Sequence, residues 1–374
     1  MMVRKVAMVL NTLGSGGVPE AALNLCAHLP RDRYAPEIFV LKDGPSESDL
    51  GGRFATIDVP VTIACRSDSK IDTVAELADW LDRAGFDILH THSYRPNLYG
   101  RMAGALCRPS GLRIVSHYHN QYDDKWPEGS SSLLLERRLA RVTDRFIAVS
   151  DAVRDHVAKA VALPAARVSV IANGINADKV RNVDRTTARR SLGLADAELA
   201  IGLIGRVCAQ KGQEDLVEAA LLLRHCLPDA VFLMIGAVED TVLHNRLTAR
   251  IAAEGVADRV RFCGHMADIA PAYAGLDLLV APSRWEGFGL MLVEAMAAGL
   301  PIIATDAGAI AEVTGGAAEL VPVSDPKALA TAIAGFDCDA RAQAVRNGLV
   351  RARRFDWSMA AADLARLYDG LPWP

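Results

Sequence analysis

Short runs of β-branched and aliphatic residues alternate along the chain with longer stretches in which apolar residues recur every three or four positions. This alternation is typical of β–α units built around a parallel sheet. In the first half it predicts strands at 5–10, 37–41, 56–59, 88–90, 113–117, 145–149 and 168–171, and helices at 19–29, 71–84 and 131–142. In the second half it predicts strands at 200–204, 230–235, 260–262, 276–280, 302–305 and 318–321. Two consecutive doubly wound α/β domains follow from this pattern.

The segment 173–195 separates the two halves and is rich in polar residues without a strand pattern. We interpret it as a connection containing one short helix, with a hinge near Asn173 and Gly174. Three helices are predicted after the last strand, from Pro326, over 341–353 and from about Ser358 to Leu371. The predicted domains are therefore 1–174 and 175–354, followed by a C-terminal helical segment over 355–374.

Composition agrees with two globular domains that have aliphatic cores. The chain has 374 residues, of which 51% are hydrophobic, 6% aromatic and 23% charged, and this excludes disordered, collagen-like and coiled-coil proteins. A formal net charge of -4 argues against broad electrostatic binding of nucleic acid. The seven cysteines include no C-x-x-C pair, which predicts neither a disulfide framework nor a cysteine zinc site but a reduced, cytoplasmic protein.

Neither a leader nor a membrane span is predicted. The first apolar run, 6–10, is shorter than the core of a signal peptide, and no later run approaches the roughly 18 apolar residues that a span requires. A soluble chain is therefore expected, and contact with a membrane surface remains open.

A basic loop follows the first strand of the second half. Gly205 and Arg206 come after that strand, and Lys211 and Gly212 follow four residues later, just before a helix that begins near Glu214. A glycine at a strand end leaves the backbone open to a ligand, and the start of a helix offers amide donors to an anion. The guanidinium and ammonium groups would together neutralise a leaving diphosphate without a metal. The alternative is a solvated loop that happens to hold two basic residues.

Two carboxylates mark a second loop. Glu286 follows the strand at 276–280, and Glu294 lies in the next helix, so both are expected at the edge of the sheet where α/β proteins bind ligands. Between them, the amides of Phe288, Gly289 and Leu290 would form a helix N-terminus that suits phosphate. A carboxylate repels bound phosphate, so each is expected to contact sugar or ribose hydroxyls.

These motifs resemble the retaining glycosyltransferases of family 4, which have the GT-B fold: two Rossmann-like doubly wound domains facing across a cleft. The resemblance rests on Gly205-Arg206-x4-Lys211-Gly212, on Glu286-x7-Glu294 within Glu-Gly-Phe-Gly-Leu, and on the segment 170–176. It covers nearly the whole chain, from the glycines at 14–17 to the closing Phe355-Asp356-Trp357 helix.

The resemblance implies a role for each motif. Arg206 and Lys211 would hold the diphosphate of a nucleotide sugar, Glu294 the ribose hydroxyls and Glu286 the transferred sugar. In the first domain, Gly16 and Gly17 belong to a glycine loop that would approach the β-phosphate side of the donor. The same loop does not fit the G-x-G-x-x-G dinucleotide fingerprint. The final helix would cross back onto the first domain.

Histidines are concentrated in the first domain, as His90 and His92 on one predicted strand and His117 and His119 at the next. Alternate residues of a strand share a face, and with no carboxylate or cysteine completing a ligand set we expect them to line a cleft rather than bind a metal. The resemblance implies that His119 contacts the donor sugar. His90 is expected to be a structural strand-end histidine, and His92 a weaker acceptor-side candidate.

Three further segments leave alternatives open. The polar segment 121–132, with Tyr122 and Trp126, is interpreted as either a mobile acceptor-side loop or ordinary surface. The basic stretch 133–145 is interpreted as an amphipathic packing helix, with membrane contact as the alternative. Asp337-Cys338-Asp339 is interpreted as a surface loop rather than a D-x-D metal motif.

The expected function is transfer of a hexosyl unit, with retention, from a nucleotide diphosphate sugar to an acceptor hydroxyl. A UDP-sugar is the default donor, and the acceptor, whether a saccharide, a lipid-linked glycan or a small molecule, is not encoded in a readable motif. No protein nucleophile is evident, so the family's front-side substitution is expected, with catalysis by positioning and charge stabilisation. No metal or other cofactor is expected. The alternatives are a nucleotide-sugar epimerase or a sugar phosphorylase of similar architecture, and a binding protein with a decayed site.

Overall fold

The computed structural model describes residues 3–14, 16–42, 50–65, 69–107, 111–122, 124–337 and 342–373. The chain divides into two compact units. One unit is Met1–Gly174 together with Trp357–Pro374, and the other is Ile175–Asp356.

The first unit contains a parallel sheet whose described strands lie in the order β3-β2-β1-β4-β5-β6-β7. These strands are β1 Arg4–Leu10, β2 Tyr34–Val40, β3 Val61–Ile63, β4 Ile88–His92, β5 Arg113–Tyr118, β6 Arg145–Ala148 and β7 Val168–Val170. The connecting helices are α1 Gly17–His28, α2 Leu50–Ala55, α3 Lys70–Ala84, α4 Tyr94–Cys107, α5 Ser131–Leu139 and α6 Asp151–Val161. Serine hydroxyls cap three of these helices: Ser69, Ser130 and Ser150 each accept a hydrogen bond from a first-turn amide.

The second unit repeats this architecture with the strand order β10-β9-β8-β11-β12-β13. Its strands are β8 Leu199–Ile204, β9 Ala230–Ile235, β10 Val260–Gly264, β11 Leu278–Ala281, β12 Ile302–Thr305 and β13 Glu319–Val321. Its helices are α7 Ala177–Arg181, α8 Arg185–Ser191, α9 Gln213–Leu223, α10 Thr241–Ala253, α11 Ala270–Gly275, α12 Leu290–Ala298, α13 Ile310–Thr314, α14 Pro326–Ala334 and α15 Ala342–Ala352. Strands β9, β11 and β12 are buried along their whole length, as expected for a sheet covered on both faces.

The last helix, α16 Trp357–Asp369, returns to the first unit. The hydroxyl of Tyr34 on β2 donates to the Asp369 carboxylate at 2.6 Å and lies 3.3 Å from the Ala365 carbonyl oxygen. The Tyr368 hydroxyl lies 2.6 Å from Nδ1 of His90 on β4. This helix is therefore fixed to the first sheet by polar contacts as well as by apolar packing. Within the described residues, no helix combines the length and the apolar character needed to cross a membrane.

Residues 56–59 do not form the predicted strand. Their amides are used by α2, since Thr56 N donates to Gly52 O at 3.0 Å and Val59 N donates to Phe54 O at 3.1 Å. Asp58 has a φ of 53°, which belongs to a turn. The edge strand is instead β3, which pairs with β2 two residues further along the chain.

The segment 173–195 contains two short helices where the sequence predicts one. Side chains of Asn176 and Asp184 accept hydrogen bonds from Lys179 N and Thr187 N, so that each begins its own helix. Helices of five and seven residues are too short to show a helical period in the sequence. Their capping residues are the sequence feature that could have indicated them. Of the interpreted Asp337-Cys338-Asp339 loop, residues 338 and 339 lie outside the described residues.

Helix α5 packs differently from a simple basic amphipathic helix. Leu133 and Leu139 are buried, but so is Glu136, whereas Leu134 is 57% exposed. Glu136 forms an ion pair with Arg101 of α4 at 2.5 Å, and both side chains are fully buried. The Tyr118 hydroxyl on β5 donates to the same carboxylate at 2.5 Å. This cluster joins α4, α5 and β5 at the centre of the first unit.

Glu136→Gln should destabilise the first unit strongly. The substitution keeps the shape of the side chain but leaves the Arg101 charge buried without its partner, which typically costs about 3–5 kcal/mol. Urea unfolding followed by circular dichroism measures the loss. The control is Asp79→Asn, which breaks the exposed Asp79–Arg83 pair on α3 and should cost less than about 1 kcal/mol. Equal losses in both variants would contradict this account of the cluster.

Candidate active site

The strand order of the second sheet reverses between β8 and β11. Loops that leave the carboxyl ends of these two neighbouring strands run to opposite faces of the sheet, and the crevice between them is where open α/β sheets bind ligands. The loop after β8 contains Gly205, Arg206 and Lys211, and the loop after β11 contains Glu286. The fold thus brings the two sequence motifs to the same edge of the second unit.

The β8 loop lies directly against the β11 loop. Gly212 has a φ of +68°, and a Cβ at this position would lie 2.0 Å from the carbonyl oxygen of Pro282. Arg284 N donates to Gln210 O at 2.8 Å, and the Gln210 side-chain amide donates to Trp285 O at 3.0 Å. Glycine at position 212 is required for this close approach. The two loops are therefore joined by one backbone hydrogen bond and one side-chain hydrogen bond.

The Lys211 ammonium forms an ion pair with the Glu286 carboxylate. The lysine side chain is 12% exposed and the glutamate side chain 9% exposed, so the pair is largely shielded from water. Ser283 Oγ donates to the same carboxylate at 3.5 Å. Gly205 packs against the aliphatic part of the Lys211 side chain, since a Cβ there would be 3.2 Å from Lys211 Cδ. The ammonium has three donors, so it can keep Glu286 and still donate to a phosphate oxygen.

Arg206 is the more accessible of the two cations. Its guanidinium forms an ion pair with Glu239, which follows β9, and their side chains are 42% and 52% exposed. The Arg206 carbonyl accepts from the Gln213 side-chain amide at 2.8 Å, which fixes the backbone at this point. An exposed ion pair is weak. The guanidinium can therefore exchange Glu239 for an anionic ligand at small cost.

The backbone of Glu286 is fixed from the next loop along the sheet. Ala309 N donates to Glu286 O at 2.9 Å, and Thr305 Oγ1 donates to Ser283 O at 2.5 Å. Helix α12 then begins behind the N-cap Gly289, which has a φ of 82° and no side chain to satisfy the first amides. These are the amides that the sequence predicts to bind an anion.

The side chains of Phe288 and Glu294, in the same motif, lie in two different environments. Phe288 is 4% exposed and packs edge-to-face on Phe355 at 5.5 Å, so its side chain belongs to the core of the second unit. Glu294 on α12 accepts a hydrogen bond from the hydroxyl of Tyr273 at 2.6 Å. Burial raises the pKa of Tyr273 well above its usual value, and Glu294 adds to the effect, so the hydroxyl stays protonated.

The strand order of the first sheet reverses between β1 and β4, and the sequence-predicted residues of this unit lie near that point. Gly16 is the N-cap of α1 and Gly17 its first residue, while Ser15 between the predicted glycines lies outside the described residues. His92 ends β4 and His119 follows β5. Nδ1 of His92 lies 3.1 Å from Nε2 of His119.

His90, His92, His117 and His119 form a group of neighbouring rings. Burial lowers the pKa of His90 and of His119 to about 3. It also lowers the pKa of His92 and His117 well below the usual value, with neighbouring histidines adding to the effect. All four imidazoles are therefore neutral at physiological pH.

The acceptor-side candidates Tyr122 and Trp126 are both buried. The Tyr122 amide donates to Nε2 of His156 at 3.0 Å, and the Trp126 ring stacks on His156 with ring centroids 5.9 Å apart. Trp126 N also donates to Tyr122 O at 2.8 Å. These contacts fasten this end of the segment 121–132 to the first unit, and Asp123 lies outside the described residues.

Sequence reasoning missed several residues that support the site. Six residues contact a predicted site residue or its loop: Ser283, Thr305, Gln210, Gln213, Glu239 and Tyr273. Most lie on a different element from their partner, so no local motif marks them. Ser283 could have been found from the sequence, because it lies three residues before Glu286 in the same loop.

Two family models match the chain. The model described as Glycosyltransferase Family 4 matches residues 15–179, and the model described as Glycosyl transferases group 1 matches residues 198–336. Together they cover most of both units.

Individual relatives agree with these matches. The lipopolysaccharide core biosynthesis mannosyltransferase LpsB of Rhizobium meliloti (strain 1021) is 39% identical over 213 residues, which are 54% of this chain and 61% of LpsB. The alignment thus spans less than two thirds of LpsB. The lipopolysaccharide core biosynthesis mannosyltransferase LpcC of Rhizobium leguminosarum bv. viciae is 34% identical over 265 residues, which are 65% of this chain and 74% of LpcC.

Solved structures give the fold. The crystal structure of Anabaena Alr3699/HepE in complex with UDP-glucose superposes with a TM-score of 0.86 at 24% identity, covering 98% of this chain and 100% of that chain. The predicted α/β class with two doubly wound parallel sheets is thereby confirmed. This chain has the GT-B fold and belongs to the group 1 glycosyltransferases of family 4.

Proposed function

We propose that this protein is a retaining hexosyltransferase that uses a nucleotide diphosphate sugar as donor. One observation carries the proposal: the shielded Lys211–Glu286 pair, with Arg206 beside it in the loop, lies where the strand order of the second sheet reverses. Cations for a diphosphate and a carboxylate for hydroxyl groups are thus brought together by the fold. The second unit would bind the donor and the first unit the acceptor.

The diphosphate would be held by Arg206, Lys211 and the first amides of α12. The exposed guanidinium can leave Glu239 and present two parallel N–H donors to phosphate oxygens. The lysine is held by Glu286 and by the close packing of Gly205, so its charge is in position before the donor arrives. Developing negative charge on the leaving group would be stabilised without reorganising these groups.

The sugar and ribose would be held by the two carboxylates. Glu286 has its backbone fixed by Ala309 N and its side chain by Lys211, so it can accept hydrogen bonds from sugar hydroxyls in a defined direction. Glu294 is oriented by the Tyr273 hydroxyl and would accept from the ribose hydroxyls, the role that the family resemblance gives it. Phe288, Gly289 and Leu290 would contribute backbone rather than side-chain contacts.

In the first unit, His119 would contact the transferred sugar. Because its pKa is lowered to about 3 by burial, the imidazole would act as a neutral hydrogen-bonding group and would not compete with the cations for phosphate. Gly16 and Gly17 would approach the donor phosphates. Because His92, Tyr122 and Trp126 are buried, they would support the region proposed to receive the acceptor rather than contact it.

The proposed chemistry is a front-side substitution. The bond from the anomeric carbon to the diphosphate oxygen breaks, the acceptor oxygen bonds to the same face, and the departing phosphate oxygen takes the acceptor proton. Arg206 and Lys211 supply the charge that a divalent cation would otherwise provide, so transfer needs no added metal. Catalysis then rests on positioning and electrostatic stabilisation.

The relatives guide the choice of substrates. LpsB and LpcC are lipopolysaccharide core biosynthesis mannosyltransferases, and HepE was solved with UDP-glucose. We propose a UDP-sugar as donor, a GDP-sugar as the next choice and a growing glycan or glycolipid as acceptor. The exposed Leu134 and the arginines beside it on α5 would suit an acceptor at a membrane surface.

Arg206→Ala and Lys211→Ala should each lower kcat by about 10²–10³-fold, the typical effect of removing one group that stabilises the transition-state charge. Initial rates of nucleotide diphosphate release, measured with donor and an accepting glycan, give the comparison. Arg224→Ala is the matched control, because Arg224 in the same unit is also 42% exposed and paired with Glu254. The control should keep its activity, and full activity in either site variant would refute the assignment.

A nucleoside diphosphate should stabilise the protein without divalent cations. At a concentration of 100 Kd, a ligand bound only by the folded state adds about 2.7 kcal/mol to the free energy of unfolding. Thermal unfolding with UDP, GDP or ADP should show the largest rise in Tm with UDP, and Lys211→Ala should reduce that rise. A rise only with Mg²⁺ present would contradict metal-independent binding, and a larger rise with GDP would change the proposed donor.

The configuration of the product tests retention. Nuclear magnetic resonance of the anomeric proton should show the same configuration in product as in donor. Inversion would refute the proposed mechanism, and conversion of the nucleotide sugar without any acceptor would point to the epimerase alternative.

A further inference from the structure

Three histidines lie on one face of the first sheet and are fully shielded from water. His90 and His92 are alternate residues of β4, and His117 is opposite His92 in the register of β4 with β5. The ring centroids of His117 lie 5.4 Å from His90 and 5.2 Å from His92, and all three residues are at most 1% exposed. Their ring nitrogens include one atom from each residue that all lie within 4.8 Å of one another.

Most of these nitrogens have no hydrogen-bond partner. Among the described residues, Nε2 of His90, Nε2 of His92 and both ring nitrogens of His117 are buried and unpartnered. An unsatisfied buried polar group destabilises the folded state, and native structures contain few of them. Four such atoms in three neighbouring rings indicate a bound species that the protein itself does not supply.

The two hydrogen bonds that do exist both involve Nδ1 and leave Nε2 of His90 and of His92 for a ligand. Nδ1 of His90 lies 2.6 Å from the Tyr368 hydroxyl, and Nδ1 of His92 lies 3.1 Å from Nε2 of His119. Metal-binding histidines generally donate one ring N–H to such a partner, which fixes the tautomer and leaves the lone pair of the other nitrogen for the metal. In both residues the unpartnered atom is Nε2.

The spacing fits a small transition-metal ion. Ligand nitrogens around tetrahedral Zn²⁺ lie about 2.0–2.1 Å from the metal, and hence about 3.3–3.4 Å from one another. One ring nitrogen from each residue lies within 4.8 Å of the other two, so metal binding would draw these three atoms closer together. Imidazole nitrogens are ligands that Zn²⁺ and related ions prefer.

We propose that His90, His92 and His117 bind one transition-metal ion of the zinc class, through Nε2 of His90 and of His92 and one ring nitrogen of His117. A water or hydroxide takes the fourth position. The ion joins β4 to β5, and its Tyr368 contact extends the site to α16. This site is distinct from the proposed diphosphate site in the second unit and does not depend on it.

The test is metal content and coordination in the full-length protein. Because the site is buried, the protein is produced with Zn²⁺ or Co²⁺ in the growth medium and then dialysed against a chelator. We expect one ion per chain by elemental analysis, three imidazole ligands by X-ray absorption at the zinc edge, and the visible bands of tetrahedral Co²⁺. Absence of retained metal, or a site with fewer than three imidazoles, would overturn the proposal.

Variants assign the site to these residues. His90→Gln and His117→Gln should lose the bound ion, while His28→Ala, which removes an exposed histidine of the same unit, should retain it. Tyr368→Phe should weaken the metal affinity by about 10–100-fold, the usual effect of removing such a supporting hydrogen bond. Circular dichroism identifies any variant that fails to fold. If the variants do not fold, the X-ray absorption result on the unmodified chain tests the proposal without them. Unchanged metal content in folded His117→Gln would refute the assignment.

Discussion

The ion pair between Lys211 and Glu286 determines the geometry of the second unit's site. Each residue belongs to a different loop, and both side chains are shielded from water. A buried pair of charges is tolerated only when its geometry is good and further hydrogen bonds satisfy its atoms. Here Ser283 supplies one such bond, and hydrogen bonds between Gln210 and the 284–285 backbone hold the two loops together. The lysine charge is therefore preorganised, which is the property that electrostatic catalysis requires.

The glycines near this pair serve packing as much as ligand approach. At Gly212 a Cβ would lie 2.0 Å from the carbonyl oxygen of Pro282, and at Gly308 it would lie 2.2 Å from that of Glu286. The first contact would push apart the two loops that the ion pair joins, and the second would separate the loop after β12 from the backbone of Glu286. In the sequence, Gly212 is predicted to lie in a loop that binds a ligand, whereas its closest contact is with the neighbouring loop, and Gly308 belongs to no predicted motif. Loop-to-loop packing is thus a constraint that a linear motif does not reveal.

The sequence was sufficient for the repeated units but not for contacts between distant residues. Long buried strands such as β9 and β12 are predicted with their observed bounds, because continuous apolar runs flanked by turn residues identify them. The strand predicted at 56–59 is wrong, because α2 uses those amides. In the helical pattern of α5, Glu136 is expected at the surface. Its burial depends on the ion pair with Arg101, which lies 35 residues earlier in the chain. Which residues lie opposite each other depends on strand register and helix packing, which one sequence does not encode locally.

The two units differ in the electrostatics of the edge where their strand order reverses. In the second unit this edge carries Arg206 and Lys211, each paired with a carboxylate, and Arg206 can exchange its exposed partner for an anionic ligand while Lys211 keeps Glu286. In the first unit the same edge carries His92 and His119, which burial keeps neutral. Neutral imidazoles bind hydroxyl groups or a metal but attract phosphate weakly. Under the proposed function, this distribution of charge favours the second unit for the diphosphate of the donor, while the histidines of the first unit would recognise uncharged groups.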